Sequence, residues 1–234
     1  MGEALRLTSQ ADGFDFDAYR VRPEEPRRGG LVLVQEIFGV NANIRSLADS
    51  YAAEGYDVIA PAMFDRLERG FETGYDDPAD IAKGRDYAGR TDWALAISDV
   101  QACIDALSGE GRASPVFITG YCYGGSVAWV AACRAQGLTA ASAFYGRLIV
   151  NFIDETPRCP IILHFGKHDA TIPPEDVARI EAAHPDIPVW LYDAGHGFCC
   201  DARKDYQADA ARLAKLRTLQ LFHRSGGARG EMGG

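Results

Sequence analysis

The feature that most narrows the fold is an alternation. Short apolar runs bounded by Gly or Pro take turns with segments of helical spacing. The runs are 30–35, 56–60, 115–119, 139–144, 160–164 and 188–192. Each is short for a helix and nearly continuous in apolar character, which suits strands buried on both faces of a parallel sheet. Between them, Asn43 to Glu54 sets Ile44, Leu47, Ala48 and Tyr51 on one face. Asp92 to Leu107 does the same with Trp93, Ile97, Val100, Ile104 and Leu107, and Pro174 to Ala183 and Arg203 to Phe222 read alike. This predicts an α/β fold, a mostly parallel central sheet with helices on both faces. At the start, Ala4 to Thr8 and Phe14 to Val21 alternate apolar and polar residues around Ala11-Asp-Gly13, so an antiparallel hairpin is expected at one edge.

The length of 234 residues fits one domain over 1–224, followed by a Gly-rich tail, 225–234, expected to be disordered. The stretch 66–90 is charged and aperiodic. It reads as a long loop that covers a site or stays mobile. The 24 Lys and Arg against 33 Asp and Glu leave a net charge of −9 without a basic stripe, which argues against a nucleic-acid partner. No apolar run approaches the roughly 20 residues of a membrane span, and no secretory signal opens the chain. The six cysteines are not needed as staples in a core of this size. The expectation is a reduced, cytoplasmic protein, a monomer or homodimer.

The chemistry concentrates in Thr119-Gly-Tyr-Cys-Tyr-Gly-Gly-Ser126, between an apolar strand, Val116 to Ile118, and a small-residue helix, Val127 to Ala135. G-x-C-x-G-G in that setting is the thiol form of a nucleophile elbow. A sharp strand-to-helix turn would project Cys122 from the sheet edge. The free N–H groups of the helix beneath it favour a thiolate and the oxyanion that follows its attack on a carbonyl. The plain alternative is a buried structural cysteine in a Gly-rich turn. In this fold an acid and a histidine follow on later strands. Asp169 lies just beyond Ile161 to Phe165, and His196 just beyond Val189 to Tyr192. His164 reads as core, His168 as a loop side chain, and His184 and His223 as surface. A metal centre from His196, Cys199 and Cys200 has no recognised spacing, and no metal or cofactor is expected. Glu36 directly follows the strand ending at Gln35, where burial would raise its pKa and fit it to take a proton from the thiol. The expected oxyanion donors are the backbone N–H groups of Ile37 and Tyr123.

In Gln35-Glu-Ile-Phe-Gly39, Ala60-Pro61, Gly120-Tyr-Cys-Tyr-Gly-Gly125, Phe144-Tyr-Gly146, Gly166-Lys-His-Asp169 and Ala194-Gly-His-Gly-Phe198, the chain resembles the dienelactone hydrolase family of α/β hydrolases. The resemblance implies a Cys122–His196–Asp169 triad, a Glu36 that interacts with the resting thiol and helps to ionise it, and a small ester or lactone substrate cleaved through an acyl thioester. It places Phe38, Tyr123 and Phe198 at the substrate. Family members hold the substrate carboxylate with arginines, one of them shortly after the catalytic histidine. Here Cys200 stands near that position and Arg203 lies farther on. For the other arginine, Arg85 is the first candidate and Lys83 the next. Two other readings stay open: a general carboxylesterase on the same fold without dienelactone activity, and a thiol redox or binding protein built on Cys199 and Cys200.

Overall fold

Eight strands form one sheet in the order β1-β2-β4-β3-β5-β6-β7-β8. They are β1 (Glu3–Thr8), β2 (Asp15–Val21), β3 (Gly29–Val34), β4 (Tyr56–Pro61), β5 (Val116–Tyr121), β6 (Leu138–Phe144), β7 (Ile161–Gly166) and β8 (Val189–Tyr192). This is a computed structural model, describing residues 2–24, 27–108 and 114–227. The β1–β2 hairpin is antiparallel, β2 joins β4 antiparallel, and β3 to β8 run parallel. The helices α1 (Ala42–Ala53), α2 (Pro78–Gly89), α3 (Trp93–Ser108), α4 (Tyr123–Arg134), α5 (Pro174–Ala183) and α6 (Ala208–Phe222) cover both faces. This is the α/β-hydrolase arrangement.

Every residue of β3, β4, β5 and β7 is buried, which explains why these strands read as unbroken apolar runs. The run 188–192 departs from that expectation. Its strand, β8, closes the sheet, and Trp190 and Leu191 are exposed. The Arg217 guanidinium lies 3.7 Å from the Trp190 ring centre and shields one of them.

Three element boundaries differ from the sequence reading. The stretch 66–90 is not one long loop, because it contains α2. Asp77 caps this helix by accepting from Ala79 N at 2.8 Å, and Pro78 opens it. Only Gly84 and Tyr87 of α2 are buried, so the helix carries little periodic signal. The start of the stretch is anchored as well: the Arg66 guanidinium donates to both carboxylate oxygens of buried Asp99, at 2.9 and 2.7 Å. Second, α6 begins at Ala208, and 201–206 form consecutive turns that leave Arg203 off the helix. Third, α4 begins at Tyr123, directly after the cysteine. In the tail, Ser225 to Gly227 belong to a closing turn with Gly227 buried, and the expectation for 228–234 lies outside the described residues.

Candidate active site

Cys122 sits between β5 and α4 with φ 55° and ψ −113°, a conformation that costs on the order of 1–3 kcal/mol for a residue with a side chain. The neighbourhood leaves no other path. A Cβ on Gly120 would lie 2.0 Å from the Gly124 carbonyl oxygen, and one on Gly124 would lie 2.3 Å from the Val34 oxygen. Cys122 N donates to Phe144 O at 3.0 Å, and Gly125 N donates to Cys122 O at 3.0 Å. Tyr123 is the first residue of α4, so its N–H precedes the helical ladder and is free for an external acceptor.

The loops after β7 and β8 are joined by backbone bonds, from Lys167 N to Tyr192 O at 2.8 Å and from His168 N to Ala194 O at 3.0 Å. That joint brings together two residues far apart in the chain. His196 Nδ1 lies 2.6 Å from Asp169 Oδ2, and its Nε2 lies 3.1 Å from Cys122 Sγ. Thr171 donates to Asp169 Oδ1 from its N at 2.8 Å and from its hydroxyl at 2.7 Å. Burial pulls His196 down, but the Cys122 sulfur and the Asp169 carboxylate outweigh it and raise the imidazole to about 10. Burial pushes Asp169 up, and the hydrogen bonds and charge of His196, with those of Thr171, bring it below the usual carboxylate value. Thr171 has a weak sequence signal, the Asp-x-Thr spacing of a side-chain-closed turn.

Glu36 is 1% exposed. Arg203 Nη1 donates to its Oε1 at 3.2 Å and Tyr75 Oη donates to its Oε2 at 3.3 Å. Burial raises Glu36 above the usual range against the pull of Arg203, His196 and Tyr75. The hydrogen-bond partner of the thiol is His196, whereas Glu36 is engaged by Arg203 and Tyr75, so the expected contact between Glu36 and the resting thiol gives way to a histidine–thiol pair. Arg203, which the sequence reading put beyond the family's arginine position, reaches Glu36 and the cleft. Because 201–206 turn back before α6, its guanidinium crosses Gly197 and lies over the rings of Phe38 and Tyr75, at 5.8 and 5.9 Å. Tyr75 lies within the aperiodic stretch and had no local signal.

These groups border a cleft of about 300 Å³ lined by Ile37, Phe38, Tyr75, Ile81, Arg85, Cys122, Tyr123, Arg147, Thr171, His196 and Arg203, among others. Phe38, Tyr123 and Arg85 are part of this lining. Phe198 is not: it is fully buried, packed against Tyr145 and Tyr192 with centroids 5.3 and 5.1 Å away, and supports the histidine loop from behind. Lys83 is paired with Glu68 at 2.6 Å outside the cleft lining. A shallower groove of about 490 Å³ lies beyond Tyr75, lined by Asn41, Glu72 and Asp201, among others.

His164 is core, held by Tyr192 Oη at 2.8 Å, and burial takes it down to about 3. His168 is an exposed loop residue bonded to Asp193 at 2.6 Å. His184 is not simply a surface residue. It is half-buried against the Trp129 ring, and its Nε2 bonds to Ile153 O at 2.7 Å. Cys199 and Cys200 are free thiols, and burial raises both. Among the described residues, no helix is long and apolar enough to cross a membrane.

The profile of the Dienelactone hydrolase family matches residues 16–226. The chain belongs to that family. As a dienelactone hydrolase family member it is a carboxylic-ester hydrolase, and its substrates are small esters or lactones. A provisionally named carboxymethylenebutenolidase of Synechocystis is 35% identical over 209 residues, covering 82% of this chain and 84% of the relative. The carboxymethylenebutenolidase of Pseudomonas putida is 27% identical over 218 residues, covering 90% and 92%. The crystal structure of a provisionally named dienelactone hydrolase from Klebsiella pneumoniae superposes with a TM-score of 0.81 at 26% identity, covering 96% of this chain and 99% of that one.

Proposed function

We propose that residues 1–224 act as one catalytic unit that hydrolyses a small carboxylate-bearing ester or lactone through Cys122, His196 and Asp169. The observation that carries this reading is the contact chain from Cys122 Sγ through the His196 ring to Asp169, at 3.1 and 2.6 Å. The thiolate attacks the substrate carbonyl, and the backbone N–H groups of Ile37 and Tyr123 receive the oxyanion. As the tetrahedral adduct collapses, the C–O bond to the leaving alcohol breaks and His196 gives that oxygen its proton. An acyl thioester remains on Cys122. Water then attacks it, with His196 taking the water's proton, and the acid departs as the thiolate returns. Asp169 keeps the imidazole in the tautomer with hydrogen on Nδ1. No cofactor enters the sequence.

Arg203 and Arg85 hold the substrate carboxylate. An arriving carboxylate competes with Glu36 for Arg203, and a Glu36 relieved of its partner becomes a stronger acceptor near the thiol. A neutral-ester carboxylesterase would leave these arginines without a counter-charge from the substrate. The test is Cys122→Ala with p-nitrophenyl acetate and a dienelactone. Turnover is expected to fall roughly a thousandfold or more, and the wild-type acyl adduct should appear on Cys122 by mass spectrometry. Unchanged turnover ends the assignment.

A further inference from the structure

Two arginines face the cleft from elements on opposite sides of the nucleophile. The strand order β3-β5-β6 puts Cys122 in the middle. On the β3 side, Arg85 of α2 lines the cleft, and on the β6 side Arg147 does, at the start of a 3-10 helix, Arg147–Phe152. Each follows a glycine pressed against the catalytic frame. A Cβ on Gly84 would lie 2.2 Å from the Ile37 carbonyl oxygen, and one on Gly146 would lie 2.8 Å from Ser126 N. Leu148 N also donates to Ser126 Oγ at 3.0 Å, which fixes the backbone just beyond Arg147. Both guanidinium groups therefore hang from backbone that is registered to the elbow and to the oxyanion loop.

Neither arginine has an ion-pair partner among the described residues. With Arg203, three arginines line the cleft and no Asp or Glu does, in a chain whose net charge is −9. Glu36 is buried behind the lining and already engaged by Arg203. Arg203 has the Glu36 counter-charge, whereas the exposed Arg85 and Arg147 have none from the protein, so an anionic ligand in the cleft gains attraction from both. One carboxylate answers to the Arg203 and Arg85 side but leaves Arg147 unmatched across the nucleophile.

We propose that the substrate carries two anionic groups, one on each side of the scissile carbonyl, and that Arg147 is the specificity-determining residue that binds the second. The inference rests on the hydrolase reading above and narrows its substrate to a doubly anionic ester or lactone. The probes are phenyl hemisuccinate, with one carboxylate, and 4-carboxyphenyl hemisuccinate, with a carboxylate on each side of the ester. The readout is the ratio of their kcat/KM values in wild type, Arg147→Gln and Arg147→Lys, with melting curves to confirm folding. Wild type should prefer the doubly anionic ester. Arg147→Gln should reduce that preference about tenfold, mostly through KM, and Arg147→Lys should restore part of it. If wild type hydrolyses both esters and Arg147→Gln keeps the wild-type ratio, the two-anion inference is overturned and the hydrolase reading stands. If wild type hydrolyses neither these nor p-nitrophenyl acetate, both are overturned.

Discussion

Asp169 and Glu36 are two carboxylates closed off from solvent that both feel the His196 imidazole, and their surroundings treat them in opposite ways. The Asp169 side chain has no exposed surface and is met by short bonds: 2.6 Å from His196, and 2.7 and 2.8 Å from Thr171. Its charge is compensated at every oxygen, and it ends below the usual carboxylate range. Glu36 receives longer contacts of 3.2 and 3.3 Å, and burial pushes it upward. A fully satisfied buried charge is a fixture, whereas one held at arm's length keeps the capacity to change partner. Asp169 fits permanent orientation of the histidine, and Glu36 fits exchange with an incoming carboxylate.

Mutation of the fixture should be the more damaging. Asp169→Asn keeps the acceptor for Thr171 but presents an N–H toward His196 Nδ1, which favours the wrong tautomer. Steady-state kcat is expected to fall on the order of ten-thousandfold. Glu36→Gln is expected to lower kcat/KM by about tenfold for a carboxylate-bearing ester. An equal loss in the two variants would erase the distinction and put Glu36 in the proton relay itself.

Stability against pH should separate them by sign. Asp169 has a folded value below its ordinary 3.8, so its contribution is present above 3.8 and drains away as the pH drops through the lower folded value. The gap between wild type and Asp169→Asn should therefore narrow toward acid. Glu36 has a folded value above its ordinary 4.5, so the contribution is complete below 4.5 and declines as the pH rises to the raised value. Glu36→Gln should gain on wild type as the pH rises. Urea denaturation across the acid-to-neutral range measures both slopes, and parallel slopes contradict the comparison.

The smallest effect concerns the His196 imidazole itself. Its folded value of about 10 against an ordinary 6.5 means that its stabilisation is complete below 6.5 and lost as the pH rises through about 10. Cys122→Ser removes the sulfur that contributes most to the rise. The NMR titration of His196 should then move down toward 6.5. A value that stays near 10 would assign the shift to Asp169 alone.

Much of this was legible in the chain because it rests on short-range physics. The alternation of apolar runs and helical spacing prescribed the α/β sheet, and Gly120, Gly124 and Cys122 prescribed the elbow through sterics confined to a single turn. Asp169 and His196 were legible by their places after strands. The run 188–192 looked like its buried neighbours, because apolar character does not tell an edge strand from a central one. Helix α2 was hidden by its exposure, and Phe198 was misplaced because adjacency to His196 says nothing of which way a ring points.

The sequence by itself determined the fold class, the sharp turn at Cys122 and the places of Asp169 and His196 after their strands, since propensity, periodicity and turn sterics are properties of neighbouring residues. Only the tertiary structure decided that Arg203, 167 positions downstream, reaches Glu36, that Thr171 fixes Asp169, and that Arg85 and Arg147 flank the sulfur. Charge pairing is set by distance and burial in space, and a chain that passes eight times through one sheet brings together residues whose spacing in sequence carries no record of the meeting.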